Sequence, residues 1–186
     1  ERFSRLMQLL QSDPEYAALY EDTMSRLRDA ENATAQALTQ VTKELHTAND
    51  ALSNAMDRAN RLPDGTRVFK DADGRVRSEN GDLIDGELLD RIVWRDGASG
   101  YEEFLAKRKA AEQAQHNVDA ILRYQVDVLG NARLRLTDED DPPSKDELKD
   151  IHHNIEERMP EAVKKFSIKS NPTAASGVQH SASIDL

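Results

Sequence analysis

From Tyr20 to Leu62 the inward positions fall at alternating steps of three and four for six heptads: Tyr20, Met24, Leu27, Glu31, Thr34, Leu38, Val41, Leu45, Ala48, Leu52, Ala55, Ala59 and Leu62. This spacing is a coiled-coil seam, and it predicts one long helix. Ser12, Asp13, Pro14 and Glu15 supply its start, with a cap, a proline in the first turn and a capping box from Ser12 to Glu15. The helix is expected over 13–62, and Pro63 stops it. Ahead of it, Phe3, Leu6, Met7, Leu9 and Leu10 mark a short amphipathic helix with too little surface to stand alone, so it is expected to dock.

Residues 63–98 abandon the helical period. Two tight-turn pairs, Asp73-Gly74 and Asn80-Gly81, separate Arg67–Lys70, Arg75–Ser78 and Asp82–Asp85, which predicts a three-stranded meander. A turn of helix near Gly86 to Arg91, followed by Ile92, Val93 and Trp94, is expected to cover its apolar face. Ser99 with Glu102 then reads as a second capping box opening a return helix over about 100–136, with Ile121, Leu122, Val128 and Leu129 among its inward residues. At about 1.5 Å per residue the two helices would be roughly 75 Å and roughly 55 Å long, which leaves the base of the first for other elements to cover.

Asp138-Glu139-Asp140-Asp141-Pro142-Pro143 cannot continue a helix and reads as a charged connection. Ser144 and Glu147 form a third capping box, and Leu148, Ile151, Ile155, Met159, Ala162 and Phe166 share one face of a third helix that Pro160 kinks or breaks. This helix is expected to cover Tyr16, Tyr20 and Met24. Residues 167–186 read as an extended tail rich in Ser, Asn, Thr, Ala and Gly. The expected fold is therefore mainly α: a long antiparallel coiled-coil helical hairpin with a small β-meander tip, a third helix packing at the base and an extended C-terminal tail. Its segments are 1–62, 63–98, 99–137, 138–166 and 167–186. The arrangement resembles, in shape, helical-hairpin proteins that present a small β tip to a partner.

Composition sharpens this outline. Aromatic residues make up 5% of the 186, too few to fill a large globular core, while charged residues make up 32%. Cysteine is absent, which removes disulfides and thiolate metal sites and permits a reducing cytoplasm; no apolar run reaches the roughly 20 residues that cross a bilayer. The first residue is Glu1, so the chain reads as a processed or excised piece of something longer. Net charge is −10, and residues 138–161 hold ten acids against three bases, a net of −7. That balance disfavours nucleic acid, whose affinity rests on cationic contacts to phosphate, and favours protein partners.

Candidate chemistry is thin. Placing Gly74 at the sixth position of a calcium loop puts Phe69 first and Asn80 twelfth, where carboxylates are required, so a hairpin turn is the better reading. His46 with Asp50 and Glu112 with His116 are one helical turn apart and carry zinc-type donors, yet they fall outside the seam and read as a solvated face. His152 and His153 with Glu156 and Glu157 read as helix-surface pairs. Glu31 and Thr34 interrupt the seam near Gly130, Asn131 and Arg133, which predicts a buried ion pair that fixes register. Phosphate loops, nucleophile elbows, zinc-protease helices and dinucleotide fingerprints are missing, so neither an enzyme nor a metal or other cofactor is expected.

Since a few residues suffice to turn a helical hairpin, some 35 residues of tip suggest a contact surface. The expected function is a non-enzymatic interaction or assembly protein of a bacterium or mobile element, acting in the cytoplasm or within a larger particle, with a protein partner or further copies of itself. Arg67, Phe69, Arg75, Arg77 and Trp94 are the candidate tip contacts, and Leu38, Val41, Leu45, Leu52, Leu122 and Leu129 the candidate stalk core. The alternative is an acidic inhibitor, such as an antitoxin or immunity protein, that covers a basic site with Asp138, Glu139, Asp140 and Asp141.

Overall fold

A computed structural model describes residues 3–168; of the tail expected at 167–186, residues 169–186 lie outside the described residues. The fold is mainly helical with a small three-stranded antiparallel sheet. In chain order the elements are α1 (Arg5–Ser12), α2 (Pro14–Asp57), β1 (Asn60–Arg61), β2 (Arg67–Lys70), β3 (Val76–Ser78), α3 (Gly86–Leu89), α4 (Tyr101–Arg123), a π-helix (Tyr124–Gly130), α5 (Asn131–Leu136), α6 (Lys145–Glu157) and α7 (Glu161–Lys164). The described residues divide into two compact units, one of residues 3–41 and 117–168, the other of Thr42–His116.

In the first unit, α1 is capped by the Ser4 hydroxyl, which accepts from the Met7 amide at 3.2 Å. Asp13, and not the expected Ser12, caps α2: its Oδ1 accepts from the Tyr16 amide at 3.1 Å, while the Ser12 hydroxyl donates back to the Gln8 carbonyl. Asp13 immediately precedes Pro14 and so holds the N-cap position, from which its carboxylate reaches the orphan amide three residues on. Leu6, Tyr16, Met24, Leu27, Val41, Ile121, Tyr124, Leu129, Leu136, Leu148, Ile155 and Val163 build a single core, with Ala30, Ala33 and Ala37 letting the backbones approach. Tyr16 and Tyr20 donate hydroxyl hydrogen bonds to the carbonyls of Pro143 (2.7 Å) and Leu136 (2.8 Å), fastening the start of α2 beneath the α5–α6 connection. Ser144 caps α6 through the Glu147 amide at 3.1 Å, and α6 ends before Pro160, which begins α7.

Two expectations fail here. The return helix is not one α-helix over 100–136, because its turns widen into the π-helix between Tyr124 and Gly130. Ile121 and Tyr124, three apart, take the inward face, so Leu122, rotated by about 100° from Ile121, is 42% exposed and leaves the core to which it was assigned. Glu31 and Arg133 do pair in bidentate fashion, at 2.8 and 2.5 Å, but both side chains are a third or more exposed, so the pair is not buried. The hydrogen bonds from Glu31 hold the Arg133 pKa above its ordinary value. Beside it, Thr34 is fully buried with its hydroxyl oxygen unpartnered.

In the second unit, α2 ends at Asp57 and not at Leu62. Asn60 and Arg61 leave the helix to form β1, which pairs with β2, so the sheet order is β1-β2-β3. The expected third strand at 82–85 makes only an isolated bridge, Arg77 to Leu83. The two turn signals take positive φ as their residue types require, +82° at Gly74 and +87° at Gly81, where a Cβ would lie 2.9 Å from the Tyr101 hydroxyl. The second capping box does not form either: the Ser99 hydroxyl donates to the Ala55 carbonyl at 2.5 Å, and the Glu102 carboxylate accepts from the Ala72 amide at 3.0 Å. Both side chains tie the start of α4 to other segments. Val68, Val76, Leu62 and Ile92 fill one side of the sheet, and Phe69, Ala59 and Phe104 the other.

Candidate functional site

Geometry separates the five tip residues into core, scaffold and surface. Phe69 is fully buried, its ring stacked on Phe104 at 4.3 Å and 12°, with Leu52, Met56, Tyr101 and Leu105 packed around them. It is a core residue and not a contact; its period-2 alternation with Lys70 fixed only that the two face opposite sides of the strand. Arg77 belongs to the scaffold. Its Nε donates to Asp71 at 3.0 Å, its Nη1 donates to the Gly81 carbonyl at 2.9 Å, and its guanidinium lies 5.6 Å from the Tyr101 ring. Arg67 pairs with Glu79 at 3.1 Å and is half-buried. Only Arg75 and Trp94 remain at the surface, the first beside Asp73 and the second beneath the Lys70 ammonium at 4.5 Å.

Asp71 organises the turn that carries Arg75. Its Oδ1 accepts from the amides of Asp73 and Arg75, both at 2.9 Å, and its Oδ2 from Arg77. Burial alone would raise its pKa, but Arg77 and the two amides outweigh burial and hold it below the ordinary carboxylate value. The carboxylate oxygens therefore serve the loop, which is a hairpin turn built on Asp and Gly. Because the folded pKa lies below the unfolded one, this stabilisation is complete above about pH 4 and is lost as pH falls through the folded value. Asp71→Asn should accordingly lower the melting temperature near pH 7 and converge with the parent chain at acid pH. Parallel melting curves across pH would show that Asp71 is not ionised in the turn.

Leu83 and Ile84 are expected in the third strand of the sheet, and residues 86–94 are expected to cover its apolar face. Ile84 and Ile92 do so, and Leu89 packs beside them, but Leu83 (51% exposed), Leu88 (41%), Val93 (80%) and Trp94 (43%) face solvent. Hydrophobicity announced these residues without saying on which side they lie. A segment with almost no regular structure has no period from which a face can be read.

The acidic segment is less free than its charge suggests. Asp138 and Asp141 lie 3.9 and 4.0 Å from Arg135, whose Nη1 also donates to the Asp141 carbonyl at 2.5 Å, and the Leu6 amide donates to the Glu139 carbonyl. Arg135 additionally forks onto Glu147 at 2.8 and 3.3 Å, which lowers the Glu147 pKa and raises that of Arg135. The segment thus closes over α1, and two of its four acids face a cation of their own chain.

The most tightly held polar cluster is one the sequence reading missed. Arg26 has no exposed surface; its guanidinium pairs with Asp29 and Glu156 and donates to the Ser167 hydroxyl at 2.9 Å, which in turn donates to Asp29 at 3.1 Å. Tyr124 lies buried alongside, donating to the Ile155 carbonyl at 2.7 Å, and burial pushes its pKa up against the opposing influence of Arg26. Arg26 joins α2 to α6 and to the segment after α7, so the cluster is a clasp. Its one signal in the sequence is an arginine beside the seam residue Leu27.

His46 pairs with Asp50 at 3.3 Å on an exposed face, and Glu112 faces Arg108. Among the described residues no group of three or more His, Cys, Asp or Glu side chains is placed to hold a metal ion, and no helix is long and apolar enough to cross a membrane. Of the expected stalk residues, Val41 and Leu129 are buried, Leu38, Leu45 and Leu52 half-buried, and Leu122 exposed. No family model, curated protein or solved structure matches this chain.

Proposed function

We propose that this is a non-enzymatic interaction or assembly protein, in which α2 and the return helix form a paired stalk and the 83–94 segment takes up a protein partner. The observation that supports the reading is the exposure of Leu83, Leu88, Val93 and Trp94 on one short segment, after Ile84 and Ile92 have already satisfied the core beneath. Clustered apolar side chains left in water mark contact surfaces more often than chance placement does, and tryptophan is the residue most enriched where binding energy concentrates. The Lys70 ammonium lies over the Trp94 ring and sets one cation beside the patch, which favours a partner that brings an acid to that edge.

The test is a paired substitution, Val93→Asp with Trp94→Ala, measured against the partner that the intact chain captures from extracts of its source. The expected result is a loss of affinity of about 30-fold or more, with helical content and melting unchanged. Undiminished affinity would overturn the tip reading. If instead neutralising Glu139 and Asp140 abolished binding and binding collapsed with salt, the acidic-inhibitor reading would replace it.

A further inference from the structure

A second exposed apolar run lies in the first unit, along the helix that contains the π segment. Leu122 is 42% exposed, Val126 66% and Leu134 73%. Successive four-residue steps link Leu122, Val126, Gly130 and Leu134. In an α-helix each such step overshoots a full turn by about 40°, so the series would spiral off the face. The wider π turn rotates each residue by less, and the step through Tyr124–Gly130 falls back instead, which keeps the four positions in one straight stripe. At Gly130 the missing side chain opens a cavity of about 270 Å³ lined by Glu31, Gln125, Leu129, Gly130, Arg133 and Leu134.

A stripe that carries both projecting side chains and a hole is complementary to its own reversed copy, which is the requirement for an isologous contact. We propose that this stripe is the interface between two copies of the chain, related by a two-fold axis through Val126. Such an axis sets Leu122, four residues before it, over Gly130, four residues after it, so the Leu122 side chain of each copy enters the cavity of the other. Val126 meets its own counterpart. Along one flank, Arg123 and Asp127 are both exposed, and reversing the second helix brings Arg123 of each copy beside Asp127 of the other. Residues 117–136 hold two acids against three bases, and Glu31 of the cavity lining balances the third, so two copies can approach through this face without net like-charge repulsion. The proposal stands independently of the tip reading, since it rests on different residues.

Sedimentation of the full chain from about 1 μM to about 500 μM decides it. The expected result is a mass that rises with concentration from 20.9 kDa towards twice that value. Val126→Asp should weaken association by about tenfold or more, with melting unchanged because the side chain is already mostly in water. Arg123→Asp alone and Asp127→Arg alone should each weaken it, since two like charges then face each other twice. Mixing these two variants should restore it, because every facing pair is again opposite in sign. A parent chain that stays at the monomer mass throughout overturns the proposal, as does a Val126→Asp chain that associates like the parent. Failure of the mixed variants to recover overturns the two-fold placement. The tip variant Val93→Asp with Trp94→Ala should leave association untouched, so the two readings fail separately.

Discussion

Arg26→Leu is expected to destabilise the first unit by about 3 kcal/mol, because it leaves Asp29 and Glu156 close together with no cation between them. Arg26 itself is fully buried, but the side chains of Asp29 and Glu156 keep 22% and 34% of their exposure, so water relieves part of the penalty and the effect falls at the lower end of the range for broken buried pairs. Arg26→Lys should recover less than half of the loss. An ammonium keeps the charge but cannot reproduce the fork that addresses Glu156 through Nε and Asp29 and Ser167 through Nη1. If the cluster is a clasp, neutralising both acids in the Arg26→Leu background should restore most of the stability, since no unpaired charge then remains. Urea unfolding followed by far-ultraviolet circular dichroism reads all three variants. A loss well under 1 kcal/mol for Arg26→Leu would show that the guanidinium and its two acids contribute no net stability.

Phe69→Ala is expected to cost the second unit about 3–5 kcal/mol. The ring has no exposed surface and stacks on Phe104, and its removal leaves a cavity against Ala59, a residue with no side chain long enough to collapse into it. With strands of two, four and three residues the sheet has little pairing of its own to offset the loss. Phe69→Leu should cost roughly 1 kcal/mol, as most of the volume stays. Trp94 is the single tryptophan, so its fluorescence reports this unit directly during thermal unfolding. An alanine variant that melts like the parent would return Phe69 to the surface, where the sequence reading had put it.

The mainly helical class, the long helix to within a few residues at its start, the break at the tip and the two turns at Gly74 and Gly81 were all legible in the sequence. Each depends on local chemistry: heptad spacing, proline and the freedom of glycine at positive φ act within one turn of chain. What the sequence alone left undetermined was which side of the chain each residue faces wherever the period breaks. Phe69 and Trp94 look alike as aromatic tip residues, yet one is enclosed by Ala59 and Phe104 and the other is not. Leu122 turned outward because Ile121 and Tyr124 claimed the inward face just before the helix widened. Arg26 became the most buried charge among the described residues of the first unit because Glu156 and Ser167, 130 and 141 residues further along the chain, arrive to receive it. Local propensity is a property of neighbours in sequence, whereas burial and pairing are properties of neighbours in space, and for these residues only the tertiary fold supplied the second set.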